Sequence, residues 1–397
     1  MDAMTAEQSA RKCHVLLIYR KLIPSVRLCG HSQLEALAGE GLIEYRAVQD
    51  MRLTNDDMNW ADTVFLGRLD NRYERQIAEL LHRVGKRLVY ILDDDLLNIP
   101  PAITSASYYA QPEIQDNIRR MIDISQAVIS PSPLLLKKYA TDGRMAIRTE
   151  EPALLAVPYR PHGSDRPVTI GFAGSIDRTT DLEAILQDAL TRIKEKYGAR
   201  VRFEFFGAVP RFAKALDATS VPYLESYDDY RRQLNACEWD IGLAPMPDAP
   251  FYACKHYNKF CEYAAAGITG IYTNRPPYTF IPDRERFGRF CENDPDAWYA
   301  AICAEIDDDA GREARRQRCS EYAATALDPV TIAKALYADW PEVFAPCPSR
   351  KSVNGAMRAL KLRNVLCQCV EKARRYGLRL PLVVMEKLLV KIHVLKG

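Results

Sequence analysis

Short apolar runs alternate along this chain with stretches whose apolar residues recur at helical spacing, and the whole alternation occurs twice. The first series of runs is HVLLIY (14–19), TVFLG (63–67), RLVYIL (87–92) and AVIS (127–130). Between them, HSQLEALAGEG (31–41) opens on Ser32 as a candidate cap and stops at glycine, and NRYERQIAELLHRVG (71–85) also stops at glycine. Strands that alternate with helices predict a parallel sheet covered by helices on both faces. Residues 159–167, YRPHGSDRP, break the periodicity with two prolines, a glycine and charged residues, the composition of a surface connection. The series then restarts with VTIGFAGS (168–175), a helix over 180–197, VRFEFFG (201–207), a helix over 226–236, DIGLAP (240–245), a helix over 256–266 and GITGIYT (267–273).

A chain of 397 residues exceeds what one hydrophobic core usually organises. The expected fold is therefore α/β, with two Rossmann-like doubly wound domains facing a central cleft and a C-terminal amphipathic helical tail. The domains are placed at 1–160 and 161–345, with a helix over 330–344 closing the second, and the tail at 346–397. Eleven cysteines without regular spacing argue against a disulfide framework and against a structural metal, and point to a reducing compartment. The N-terminus lacks the apolar stretch of a signal peptide and no run of 18 uncharged apolar residues occurs, so a cytoplasmic location is expected.

Charge is distributed unevenly. Residues 350–397 hold twelve Lys or Arg and two Glu, a local charge of +10, which leaves the remaining chain at −8 against an overall +2. A mildly acidic body makes nucleic acid an unexpected partner. The tail has apolar positions Val353, Met357, Leu360, Val365, Leu366, Cys369, Val370 and Ala373 at roughly helical spacing, with basic residues between them, and a second apolar stretch after Pro381. Such a segment suits an anionic membrane surface, residues 353–397 supplying the contact; the alternative is a helix docked on the N-terminal domain.

From Tyr227 the text YDDYRRQLNACEWDIGLAPM, followed by KHYNKFCEYAAAGITGIY, resembles the donor-binding half of retaining GT-B glycosyltransferases, especially family 4. The resemblance covers Val168 to Asn293 well and the N-terminal half in outline. It implies transfer of a sugar from a UDP- or GDP-linked donor to a glycan or lipid-linked acceptor, of the kind used in assembling bacterial surface polysaccharides, with no cofactor and no metal. Donor-binding positions carried over are Gly174, Ser175, Arg178, Gly207, Lys255, Asn258, Lys259 and Glu262. The sequence departs from the family where Ser175 and Thr180 replace a usual Arg and Lys, and where Cys254 stands in place of the first of two glutamates.

The residues make a physical case of their own. Lys255 and Lys259 are four apart and would share a face near a helix start, where backbone N–H groups and the helix dipole already favour a diphosphate. Glu262, one turn on, would accept hydrogen bonds from ribose hydroxyls; the bland alternative is a surface ion pair with Lys259. Asp93, Asp94 and Asp95 follow a predicted strand at the carboxyl edge of its sheet, where catalytic groups are expected. Their alternatives are acceptor binding or base chemistry, a cap, or metal ligation by Asp93 and Asp95 in a metal-dependent transferase. The segment after the first strand, YRKLIPSVRLCGH, is expected to be a loop across the cleft, with Arg20, Lys21, Arg27, Gly30 and His31 as acceptor or phosphate contacts; the alternatives are a solvated loop and, for His31, a capping or packing role. A catalytically silent nucleotide-sugar-binding scaffold, and an epimerase or phosphorylase on the same fold, stand as further alternatives.

Overall fold

The computed structural model describes residues 11–101, 103–163, 165–347 and 351–376. The first sheet comprises β1 (Cys13–Tyr19), β2 (Ile43–Gln49), β3 (Thr63–Gly67), β4 (Arg87–Ile91), β5 (Ala127–Ser130) and β6 (Met145–Arg148), in the order β2-β1-β3-β4-β5-β6. The second comprises β7 (Val168–Gly174), β8 (Val201–Gly207), β9 (Thr219–Val221), β10 (Ile241–Ala244), β11 (Thr269–Thr273) and β12 (Gly288–Cys291), in the order β12-β11-β10-β7-β8-β9. Every adjacent pair runs parallel.

The continuous apolar runs are explained by burial on both faces. Leu16 and Ile18 of β1 join a core with Ile77 and Leu81 of the Arg72–Arg83 helix and Ile118 and Met121 of the Pro112–Ile124 helix. Their neighbours Val15 and Leu17 face the other way, onto Leu34 and Leu37 of the Ser32–Gly39 helix. Side chains alternate along a strand, so both halves of the run are apolar when both faces are covered. The second sheet repeats the pattern: Phe172 and Phe205 pack on the Thr179–Tyr197 and Pro295–Ile306 helices, while Ala173 and Phe206 pack towards Phe260 and Tyr263 of the Asn258–Ala265 helix.

Three expectations are corrected. The segment after β1 is helical almost from its start: Pro24–Val26 leads through a wide π turn, Arg27–His31, into Ser32–Gly39. Pro24 sits in the first turn, where its fixed φ favours the helix and its missing N–H costs nothing, so Ser32 lies inside the helical run rather than capping it. The Pro329–Asp339 helix and the turn after it, grouped by sequence with the second domain, pack on the first, burying Ala333 and Leu336 of the helix and Val343 and Phe344 of the turn against that sheet. Thr63 Oγ1 donates to the Val343 carbonyl (2.7 Å) and the Arg87 guanidinium to that of Ala345 (3.0 Å). The two passages between domains run side by side, joined by Ala153 N–H to the Leu327 carbonyl at 2.9 Å.

The third correction concerns the tail. The Ala356–Tyr376 helix begins against the first domain, with Val353 and Met357 buried in its core and Leu360 packed beside them. Asn59 and Asn55 side chains accept from the backbone N–H groups of Val353 (3.0 Å) and Met357 (3.2 Å). These turns of the supposed membrane face are thus covered by the body, although Leu362 and Leu366 are exposed. Cys369, Val370, Ala373 and the stretch after Pro381 lie outside the residues whose side chains are described. No helix among the described residues is long and apolar enough to cross a membrane.

Gly171 in β7 lies under the buried Trp239, and a Cβ there would overlap the indole ring. Gly171→Ala should therefore lower stability by about 1–3 kcal/mol, as overpacking of a filled core does. A lower urea midpoint followed by tryptophan fluorescence is expected; an unchanged midpoint would show that Trp239 yields without strain.

Candidate functional site

Both sheets turn their carboxyl edges to the cleft, where strand ends leave backbone groups and loop side chains unburied. A cavity of about 220 Å³ opens there, walled by Pro24, Ser25, Leu28 and Asp93 of the first domain and by residues of the second. Glu151, in the passage between domains, closes one side. Gly174 and Gly207 end β7 and β8. Gly207 has φ +83°, and a Cβ on it would collide with the Gly174 carbonyl, so two strand ends approach at this point only because a side chain is missing.

The Asn258–Ala265 helix points its first turn into the cavity, presenting Asn258, Lys259 and Glu262. Glu262 is buried, and its Oε2 accepts from Lys259 Nζ (2.6 Å) and from the Tyr230 hydroxyl (2.8 Å). Lys259 Nζ also donates to the Tyr230 oxygen at 3.1 Å. Arg231, fully buried, donates to the Glu262 carbonyl (2.9 Å) and so ties this helix to the Tyr227–Ala236 helix. Burial raises the Tyr230 phenol well above its ordinary range, so it remains a donor to Glu262. The Lys259–Glu262 pair is therefore no fully solvated surface bridge: Glu262 is buried, Lys259 is partly exposed in the cavity, and Tyr230 is a third polar partner.

Lys255 does not share this face. The helix starts at Asn258, and Lys255 lies before it, beyond the short Pro250–Ala253 turn, reaching across the cleft to Asp94 Oδ1 at 2.6 Å. The three aspartates part company. Asp93 lines the cavity, with Oδ2 held by Arg68 (3.0 Å) and a buried Oδ1 that has no hydrogen-bond partner among the described residues. Burial raises its carboxyl above the usual range despite Arg68. For Asp94 burial acts the same way, but Lys255 and then Arg68 outweigh it and hold the carboxyl below that range. Asp95 turns away, buried among Lys138 (2.6 Å), Asn98 (2.9 Å) and the Tyr139 hydroxyl. Asp93 and Asp95 thus have separate partners, and no cluster of three metal-ligating side chains occurs among the described residues.

Other positions singled out by sequence are distributed as follows. Ser175 lines the cavity. Arg178 sits beside Gly174 but is committed within its own domain, donating to the Pro245 carbonyl (2.7 Å) and pairing with Asp181 (3.2 Å). Arg27 crosses the cleft to Asp228 at 2.6 Å. Gly30 is a packing residue, because a Cβ there would meet the Ile91 side chain. His31 bonds the Tyr45 hydroxyl (2.7 Å) and pairs with Glu35 (3.3 Å), outside the cavity. Arg20 is bound to Asp70 and Glu74. Ser25, Glu151, Phe206, Tyr223 and Tyr230 line the cavity without having been singled out; Ser25 follows β1 at its carboxyl edge, and Tyr230 falls in the segment that carries the resemblance.

No protein-family model matches the chain, and no curated protein sequence does. Solved structures do share its architecture. Anabaena HepE, solved with UDP and glucose, is 13% identical with a TM-score of 0.57 over 83% of this chain and 100% of its own. A glycosyltransferase from Rickettsia africae is 12% identical (TM-score 0.56; 84% and 98% covered). Sucrose-phosphate synthase from Thermosynechococcus elongatus is also 12% identical (TM-score 0.55; 83% and 99% covered). The fold is thus the GT-B arrangement of two Rossmann-like domains, as the resemblance implied.

Behind the cavity, where the chain passes between domains, His256 is buried with Nε2 3.2 Å from Glu150 and Nδ1 3.6 Å from Glu151. Burial alone would lower its pKa, but the Glu151 and Glu150 carboxylates outweigh it and raise it to about 9. A folded-state pKa above the unfolded value means a contribution to stability that is complete below about 6.5 and lost as pH rises through about 9. The stability difference between wild type and His256→Gln, measured by urea denaturation from pH 6 to pH 10, should therefore shrink with rising pH. A difference that grows over this interval would contradict the assignment of an imidazolium.

Proposed function

We propose that the chain is a glycosyltransferase that moves a sugar from a UDP- or GDP-linked donor to a glycan or lipid-linked acceptor, with retention of configuration and without a bound metal. The observation that carries this reading is the Lys259–Glu262–Tyr230 cluster at the first turn of a helix, inside a cavity walled by both domains. The first N–H groups of that helix and its dipole favour an anion, and the Lys259 ammonium, although paired with Glu262, adds N–H donors at the same place. In the proposed complex the diphosphate lies against this turn and Glu262 accepts from ribose hydroxyls. Charge that develops on the departing diphosphate is met by groups already oriented towards it, the electrostatic contribution that usually dominates such reactions.

On the facing wall, Asp93 lines the cavity, its buried Oδ1 has no hydrogen-bond partner among the described residues, and burial raises its carboxyl above the usual range. These features suit a group that binds the acceptor hydroxyl and takes up its proton. Arg68 and Lys255 occupy the surroundings of Asp93 and Asp94 in which a divalent cation would have to sit, which supports a metal-independent reaction. HepE, solved with UDP and glucose, supports the choice of donor class. A role in bacterial surface polysaccharide assembly is the one that the family resembled by the Tyr227–Tyr272 segment implies.

A thermal-shift panel of UDP- and GDP-sugars tests the reading. A donor present at a hundredfold excess over its Kd should stabilise the protein by about 2.7 kcal/mol, and the shift should vanish in Glu262→Ala and Lys259→Ala. No response to any nucleotide sugar would overturn the proposal. Transfer assayed with the donor so identified should persist in excess EDTA and fall at least a hundredfold in Asp93→Asn; loss of activity in EDTA would instead favour a metal-dependent reaction.

A further inference from the structure

A second cavity, of about 390 Å³, lies on the first domain between the Arg72–Arg83, Pro112–Ile124 and Ala356–Tyr376 helices, and shares no lining residue with the donor cavity. It too sits at the carboxyl edge of a parallel sheet: Arg20 follows β1, Asp50 follows β2 and Asn71 lies beyond β3. We propose that this cavity is a binding site for a neutral saccharide, completed by the tail helix.

Its chemistry is unusual in one respect. Gln49, Asn71, Gln76, Asn117 and Asn364 bring five carboxamides to one wall system. Each carboxamide holds a donor and an acceptor side by side, the pattern that matches hydroxyl groups, which also donate and accept. Two of them are fixed in advance, Gln49 by donating to the Arg20 carbonyl (3.0 Å) and Asn71 by capping Glu74 N–H (3.0 Å). Asn117 is the strongest sign. It occupies a core-facing position of its helix, beside Ile114, Ile118 and Met121, and is fully buried, yet neither its Oδ1 nor its Nδ2 has a hydrogen-bond partner among the described residues. A buried carboxamide left unpaired is costly, and a leucine would serve packing better.

The charges around the cavity do not select an anion. Arg20 is neutralised by Asp70 and Glu74, and the remaining charged lining residues are two of each sign, Arg72 and Arg363 with Asp50 and Glu113. Tyr73, Met51 and Ile114 provide an apolar floor for the C–H face of a sugar ring. Arg363 and Asn364 come from the tail, Asn364 donating weakly to Met51 Sδ at 3.8 Å, so docking of the tail builds one wall.

The proposal goes beyond the donor reading and does not rest on it, because the test contains no nucleotide. Saturation-transfer difference NMR would be recorded on the full chain with glucose, galactose, N-acetylglucosamine and maltose, and with glucose 6-phosphate as a charged control. At least one neutral sugar should bind, with affinity reduced tenfold or more in both Asn117→Leu and Asn364→Ala and unchanged in Glu262→Ala. Asn117→Leu should keep the wild-type urea midpoint or raise it, and Asn364→Ala, at the cavity rim, provides the independent readout. Absence of binding by all four sugars, binding that survives both substitutions, binding lost in Glu262→Ala, or tenfold tighter binding of glucose 6-phosphate than of glucose would each overturn the proposal.

Discussion

Burial of both faces of each parallel sheet is the constraint from which the rest of this structure follows. With helices on both sides, the central strands have no solvent face on which to carry chemistry, and polar groups are pushed to the strand ends. The two passages between domains, joined where Ala153 meets Leu327, then set the two carboxyl edges against each other. What lies between is determined by residues at or just past strand ends: Gly174 and Gly207 on one side, Asp93 and Asp94 on the other. The glycines are required because Gly207 has a left-handed backbone and no room for a Cβ.

The same constraint explains which strands the sequence reveals. The eight central strands are apolar on both faces and stand out as continuous runs. The four strands not anticipated, β2, β6, β9 and β12, are the four sheet edges. β2, IEYRAVQ, buries only its first residue fully, so its composition reads as polar; β9 has three residues, none fully buried. An edge strand is held by one neighbour and by backbone hydrogen bonds, which leave little trace in side-chain identity. Asn117 shows the converse difficulty: a polar residue in a helical apolar series gives no sign in sequence that it is buried and unpaired.

In the candidate site, spacing put Glu262 and Lys259 together, and both line one cavity, because three residues along a helix fix two side chains on one face. Spacing failed for Lys255, four residues before Lys259, because the helix begins only at Asn258 and the relation i, i+4 has no meaning outside it. It failed also for the run Asp93–Asp95, whose three carboxylates diverge where the strand has ended and no regular geometry holds them together. Tyr230 lay in view within the quoted segment, but its contact with Glu262 is made across two helices and depends on Arg231, which ties one to the other.

The position of Cys254 bears on how the cleft operates. In the family that this segment resembles, a glutamate is usual there; here a buried cysteine packs with the first domain's core, and burial raises its thiol. Cys254 does not line the cavity, and the next residue, Lys255, reaches to Asp94 on the opposite wall. The turn that carries both residues is therefore an inter-domain contact. Lys255 is engaged by Asp94 and Arg178 by Pro245 and Asp181, and neither lines the cavity, whereas Lys259 does. Its own partner, Glu262, belongs to the same helix, so this pair stays together however the two domains move, while the Lys255–Asp94 and Arg27–Asp228 bridges must lengthen whenever the cleft opens.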